Sequence, residues 1–551
     1  MPQRWLVRLW QSYSAVGLLA GTLFFAASLT PSLLPRNFVT QGVLSGVSMA
    51  VGYGLGLLVL ILWDYLELPK PRERTGRIIK IAAALVCAAI VLTFLWRATE
   101  WQNSIRQLMQ LPPVDSAHPS KVGLIGLVTF ILLVALARLF GLIYRRAALF
   151  TRRYVPRRVS NVIGFAVAAI LFATIANGVI FRFGLHMADS SYKRLDALID
   201  DDLPAPSDPG KTGSQASLLR WDELGRTGRN YIAKGPGRQD IQSFLHRDAM
   251  EPIRVYVGLR SAETPQERAK LALEELKRVG GFERSSLVVI TPTGTGWVDP
   301  EAVDPLEYLH GGDIASVAVQ YSYLASWLAL LVEPDYGTET ARALFQEIYG
   351  YWTTLPKDHR PRLYLYGLSL GALSSTQSSE LFEVLADPYD GALWAGPPYS
   401  TRMWRTITDD RNPGSPEWLP KFRDSSYVRF TAQKNALDIP GAHWGPMRVV
   451  FLQYASDPIT FFQYSAGYRE PDWMRDPRGP DVSPQLRWYP IVTLLQLTLD
   501  IAMATTTPLG YGHVYAPEHY IDAWVAVMDV RWPQEEIDRL KAFFEHRRQQ
   551  Q

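Results

Sequence analysis

The chain has 551 residues, 48 % of them hydrophobic, and carries 56 basic against 53 acidic side chains. That length exceeds a single compact core and implies two or three domains, while a net charge of +3 argues against nucleic acid as a partner. The one cysteine, Cys87, excludes an internal disulfide, a cysteine-ligated metal cluster and a dithiol redox pair.

Apolar character is concentrated before about residue 182. Five apolar stretches, 14–34, 42–63, 78–96, 122–143 and 159–181, each approach the ~20 residues a helix needs to cross about 30 Å of hydrocarbon. The first is followed by four more and is too long for a cleaved signal peptide, so it reads as retained. Trp10, Trp63, Tyr65, Trp96, Trp101 and Tyr144 sit near the expected ends, where an interfacial aromatic belt belongs. Arg138 lies inside the fourth stretch, close enough to one end to reach headgroups.

Basic residues set an orientation. Arg4 and Arg8, then Lys70, Arg72, Arg74, Arg77 and Lys80, then Arg145, Arg146, Arg152, Arg153, Arg157 and Arg158 share one side if all five stretches span. The other side holds Arg36, Arg97, Arg106 and Lys121. The positive-inside rule puts the N-terminus in the cytoplasm and everything after Phe181 outside a bacterial inner membrane. No carboxylate lies within the stretches and no matched pair of helices is broken by Pro or Gly, so the expected role is anchoring at the lipid bilayer, not transport.

The expected division is a transmembrane region over 1–185, a connecting segment over 186–250 and a catalytic domain over 251–551. Gly210-Lys211-Thr212 superficially resembles a phosphate-binding loop, but Ala205 stands where the first glycine of that motif is needed, and Pro206 and Pro209 break the strand-to-helix setting. Gly225 to Arg229 reads as a solvated loop.

From about residue 253 short β-branched runs alternate with helical patterns. Strands are expected at 253–258, 287–290, 316–320, 363–366, 392–395, 427–430 and 449–454. Thr264, Pro265 and Glu267 open a helix with a capping box, and another helix is expected over 339–352. This alternation predicts an α/β fold with a mostly parallel sheet covered on both faces.

Gly367-Leu368-Ser369-Leu370-Gly371 falls between a strand and a helix. A sharp turn there lifts a serine hydroxyl above the sheet, and side chains at the two glycines would collide with strand and helix. Ser369 is the candidate nucleophile. Four histidines follow it, His443, His513, His519 and His546. His513, in the loop before the last apolar helix, suits a base that must reach across the site, with His519 its rival. The acid is Asp457 or Asp438, each just beyond a strand. Backbone N–H groups of Leu370 and of Gly294 or Thr295 are candidates for holding an oxyanion.

These residues carry a family resemblance. Thr293 to Pro300, Gln320 to Tyr323, Tyr366 to Gly371, Ser456 to Pro458 and Gly510 to His513 resemble the membrane-bound bacterial α/β-hydrolase family, in which a multi-span N-terminal region precedes a catalytic domain. The resemblance covers nearly the whole chain. It implies an α/β-hydrolase fold and a Ser369–Asp457–His513 triad, and leaves the substrate open. The expected activity is that of a serine esterase or lipase acting on acyl esters, with no cofactor and no metal. Two alternatives stand beside it: transfer of the acyl group to a lipid or glycan alcohol, and a non-enzymatic binding module. The segment 397–423, with Tyr399, Met403, Trp404 and Trp418, lies where such folds insert a cap and suits either an acyl chain or ordinary packing.

Overall fold

A computed structural model describes residues 14–69, 72–174, 196, 203–323, 334–379, 381–475 and 477–549. It divides into two compact units.

The first unit is helical. Its N-terminal part comprises α1 (Ala15–Ser28), α2 (Phe38–Tyr65), α3 (Glu73–Leu108), α4 (Pro119–Thr151) and α5 (Arg157–Ala173). Ser14 caps α1 through its side chain, and Asn37 caps α2 by accepting from Val39 and Thr40, as short polar residues do at helix starts. Among the described residues three helices are long and apolar enough to cross a membrane: α2, α3 and α4. The first expected stretch gives only the 14 residues of α1, about 21 Å of helix, and Pro31 keeps it from continuing. The fifth, 159–181, lies partly outside the described residues. Small residues let the helices approach closely: a Cβ at Gly46 would sit 2.6 Å from the Gly126 carbonyl oxygen on α4.

Trp101, expected in the interfacial belt, is instead buried with Phe25, Leu29 and Val122, because α3 runs on well past residue 96.

Residues 463–474 and 480–503 also belong to this helical unit. Within it, the helix Val492–Ala502 carries Asp500, whose carboxylate takes the Arg36 guanidinium at 3.1 Å with both side chains fully buried. Arg36, read from sequence as a charge marking one membrane side, is thus an interior group. Leu33 N–H donates to Asp500 Oδ2, Gln102 Oε1 accepts from Arg36 N–H, and Gln496 donates to the Thr30 carbonyl. A buried ion pair keeps its charges only when its remaining donors and acceptors are met in this way.

The second unit is α/β. All seven expected strands are present: β1 (Ile253–Val257), β2 (Ser286–Thr291), β3 (Ile314–Val319), β4 (Arg362–Leu368), β5 (Gly391–Ala395), β6 (Val428–Thr431) and β7 (Arg448–Leu452). They form one parallel sheet in the order β1-β3-β2-β4-β5-β7-β6. Strands β2, β3 and β5 are buried at every position, which is why they read as continuous apolar runs. Helices α6 (Pro265–Arg278), α7 (Pro300–Leu309), α8 (Pro334–Trp352), α9 (Leu370–Ser375), α10 (Pro517–Met528) and α11 (Gln534–Gln549) include the connections between strands. The capping box at Thr264 forms, with Glu267 reaching back to the Thr264 N–H at 3.1 Å.

Gly225 to Arg229 is no loop: it opens the helix Gly225–Lys234, and Arg229 is buried.

Candidate active site

Strand β4 is central, flanked by β2 and β5, and ends at Leu368. Ser369 follows with φ 59° and ψ −124°, a region that disfavours any residue with a Cβ and costs on the order of 1–3 kcal/mol. The turn is fixed on two sides. Ser369 N–H donates to the Ala395 carbonyl at the end of β5 at 2.9 Å. Gly371 lies so near β2 that a Cβ there would be 2.1 Å from the Thr291 carbonyl oxygen. Helix α9 starts at Leu370, whose N–H falls in the first turn, where no intrahelical acceptor exists.

The chain beyond β7 brings up a carboxylate. Asp457 is fully buried and caps the short helix Pro458–Phe461. Its Oδ1 accepts from Ile459 N–H at 2.8 Å and from Thr460 N–H at 3.4 Å. Its Oδ2 meets His513 Nδ1 at 2.7 Å, Tyr515 O–H at 2.7 Å and Thr460 O–H at 3.2 Å.

His513 sits in the loop before α10, held by its own N–H to the Ala504 carbonyl at 3.1 Å and by Gly512 N–H to Ser456 Oγ at 2.9 Å. Its ring edge lies over Gly396, the residue after β5: a Cβ there would be 2.6 Å from His513 Cε1, and Gly396 has φ +49°. Ser369 and His513 therefore both lie at the carboxyl end of β5. The carboxylate fixes a proton on Nδ1, which leaves Nε2 as the ring's acceptor. Nε2 is buried and has no hydrogen-bond partner among the described residues. An imidazole so held can take a proton from a nearby hydroxyl and be stabilised once charged.

The other candidate acid and bases lie elsewhere. Asp438, His443 and His546 are exposed. His519 Nδ1 is bonded to Tyr454 O–H at 2.6 Å, and burial, then the charges of Lys541 and Arg548, push its pKa down to about 4. The loop holding Gly294 and Thr295 closes on itself through Thr293 N–H to the Trp297 carbonyl. The Thr295 carbonyl accepts from Gln320 Nε2 at 3.3 Å. In the 397–423 segment Trp404 is buried and donates to Gln453 Oε1, Trp418 donates to the Pro477 carbonyl, and Met403 is exposed. Lys211 of the rejected phosphate-loop motif pairs with Glu251 at 2.7 Å.

Tyr515 and Gly396 were not singled out in the sequence, and Ser456 entered there only as part of the Ser456 to Pro458 motif, with no role of its own. Tyr515 is two residues beyond His513, a spacing that could have drawn attention to it. Burial, together with the Asp457 charge, pushes the Tyr515 pKa well above its usual value, so the phenol keeps its proton and donates it. Among the described residues no three His, Cys, Asp or Glu side chains are grouped to hold a metal ion.

A parallel sheet whose central strand turns through a strained serine into a helix, with a carboxylate–imidazole pair near by, is an α/β-hydrolase arrangement. Residues 253–540 match the alpha/beta-hydrolase family and residues 29–236 match the alpha/beta-hydrolase family N-terminus. The chain belongs to the alpha/beta-hydrolase family. No curated protein and no solved structure matches it.

Proposed function

We propose that the chain is a membrane-anchored serine hydrolase that cleaves acyl esters through Ser369, His513 and Asp457. Ser369 Oγ attacks the ester carbonyl as His513 Nε2 takes its proton. The alkoxide leaves with that proton, and water, activated in turn by His513, releases the acid. Asp457 holds the imidazole tautomer and stabilises the imidazolium, while Leu370 N–H, with Gly294 or Thr295 N–H, takes the oxyanion. The observation that carries this reading is the 2.7 Å contact between the buried Asp457 carboxylate and His513 Nδ1, which leaves Nε2 as the ring's acceptor. Family membership supports it.

The proposed setting is a bacterial inner membrane; with all five apolar stretches spanning, the basic-residue pattern puts the N-terminus in the cytoplasm and the α/β unit outside. Hydrolysis of p-nitrophenyl butyrate by the purified full chain tests the chemistry: wild type turns it over and Ser369→Ala does not. Equal rates from both would sink the proposal. Lipid profiles of cells carrying either form then identify the ester or the acyl acceptor. A C-terminal reporter active only in the cytoplasm would overturn the sidedness.

A further inference from the structure

The amides of an oxyanion hole are effective only when fixed before the reaction, since turning them during it would cost the energy they supply. Strand β2 stands between β3 and β4 in the sheet, so the loop 292–297 that leaves it has the Ser369 turn on one side and the residues after β3 on the other. The loop starts against the turn: a Cβ at Gly371 would be 2.9 Å from the Pro292 carbonyl oxygen. Gly296 N–H then donates to the Thr293 carbonyl at 2.9 Å, which closes a four-residue turn with Gly294 and Thr295 at its centre.

Three side chains from three separate elements meet the two carbonyls that follow. Tyr256 O–H, on β1, donates to the Gly296 carbonyl at 2.7 Å. Gln320, just after β3, donates Nε2 to the Thr295 carbonyl at 3.3 Å. Thr227 Oγ1, on the helix Gly225–Lys234, lies 3.4 Å from that same oxygen and 3.3 Å from Tyr256 Oη. Gln320 is itself pinned, its Oε1 accepting from Leu259 N–H at 3.0 Å and its backbone N–H donating to the Val257 carbonyl at 2.9 Å. Tyr256 and Gln320 are fully buried, so each depends on these partners to satisfy its polar atoms. The loop fits this clamp only through Gly296, at φ +80°, where a Cβ would be 2.7 Å from Gln320 Cγ and would collide with Tyr256 Oη.

We infer that Tyr256 and Gln320 are positioning residues for the oxyanion hole: by holding the Gly296 and Thr295 carbonyls they fix the turn whose central amides, of Gly294 and Thr295, face the reacting carbonyl. The peptide planes on either side of the turn are rigid, so holding their carbonyls sets the direction of the N–H groups between them. The inference rests on the hydrolase reading proposed above and gives the Gln320 to Tyr323 motif a part in it.

The test follows hydrolysis of p-nitrophenyl butyrate by the purified full chain, with kcat expressed per site titrated with a fluorophosphonate. Inhibition by a trifluoromethyl ketone, whose adduct with a serine carries the same oxyanion, is measured beside it. Tyr256→Phe, which keeps the ring and its volume, should lower kcat about tenfold, leave KM within about twofold and weaken the ketone in parallel with kcat/KM. Gln320→Met should do the same, and if it yields no titratable sites Tyr256→Phe alone decides. Tyr231→Phe, which removes a hydrogen bond to Ser316 on β3 instead of one to the loop, should change none of these. Variants that lose titratable sites or thermal stability while kcat per site and ketone affinity stay at wild-type values would overturn the inference, as would an equal loss of kcat in Tyr231→Phe. Wild type without turnover would sink the hydrolase proposal, and this inference with it.

Discussion

Replacing Asp457 by asparagine separates the two candidate acids, because the carboxylate oxygens of Asp457 have unlike surroundings. Oδ1 faces two backbone N–H groups, of Ile459 and Thr460. An amide nitrogen in that place would oppose them and leave buried donors unpaired, at roughly 1–3 kcal/mol each. The amide nitrogen therefore takes the Oδ2 position, against His513 Nδ1. There it donates, which moves the imidazole proton to Nε2 and removes the acceptor that Ser369 needs. In a serine triad this tautomer change lowers kcat about 10⁴-fold. The same loss is expected for Asp457→Asn on p-nitrophenyl butyrate, with the folded state retained by circular dichroism. Asp438 is exposed, so Asp438→Asn should stay within about twofold of wild type. Full activity in Asp457→Asn, or the large loss in Asp438→Asn, would refute the reasoning.

Tyr515→Phe removes a charge-assisted hydrogen bond to Asp457, of about 1.5–3 kcal/mol. The carboxylate is then held less firmly toward His513, and kcat/KM on p-nitrophenyl butyrate should fall about tenfold; an unchanged kcat/KM contradicts this. Asp500→Ala strands the buried Arg36 guanidinium and should destabilise the helical unit by about 3–5 kcal/mol, with Arg36→Met plus Asp500→Leu recovering most of it in a detergent melt. Equal melting of single and double variants would count against that pair's role. Burial, then the Glu301 charge, hold the Asp299 carboxyl up at about 8, against about 4 when unfolded. The folded state keeps a proton that the unfolded chain releases, so this stability is fully present below about pH 4 and lost as pH rises through 8. Asp299→Asn should flatten that decline, whose slope is at most about 1.4 kcal/mol per pH unit; parallel wild-type and variant curves contradict it.

The α/β half was largely legible because its signals are local. Buried parallel strands such as β2 and β3 are unbroken apolar runs, and Thr264 with Glu267 announces a helix start within four residues. The elbow was legible for the same reason, since Gly367, Ser369 and Gly371 must be close in sequence to make one turn. What escaped depends on distant partners. The choice between Asp457 and Asp438 turns on which carboxylate reaches a ring 56 residues further on. Arg36 and Asp500 are 464 residues apart, so neither position could announce an interior ion pair. The helix Val492–Ala502 has 11 residues, too few for a membrane-length signal, and its place in the helical unit follows from Asp500 and Gln496 pairing with groups near α1. Tyr515 and Gly396 matter through contacts with Asp457 and His513, which no spacing rule encodes.

The central claim is that Ser369 is an activated nucleophile, and a fluorophosphonate probe tests it most directly. Full-length protein in its membrane is labelled, digested, and the modified peptide identified by mass spectrometry. The account predicts one adduct on Ser369, absent in Ser369→Ala and formed far more slowly in His513→Ala. Wild type left unlabelled where a control serine hydrolase reacts, or an adduct on another serine, would contradict it.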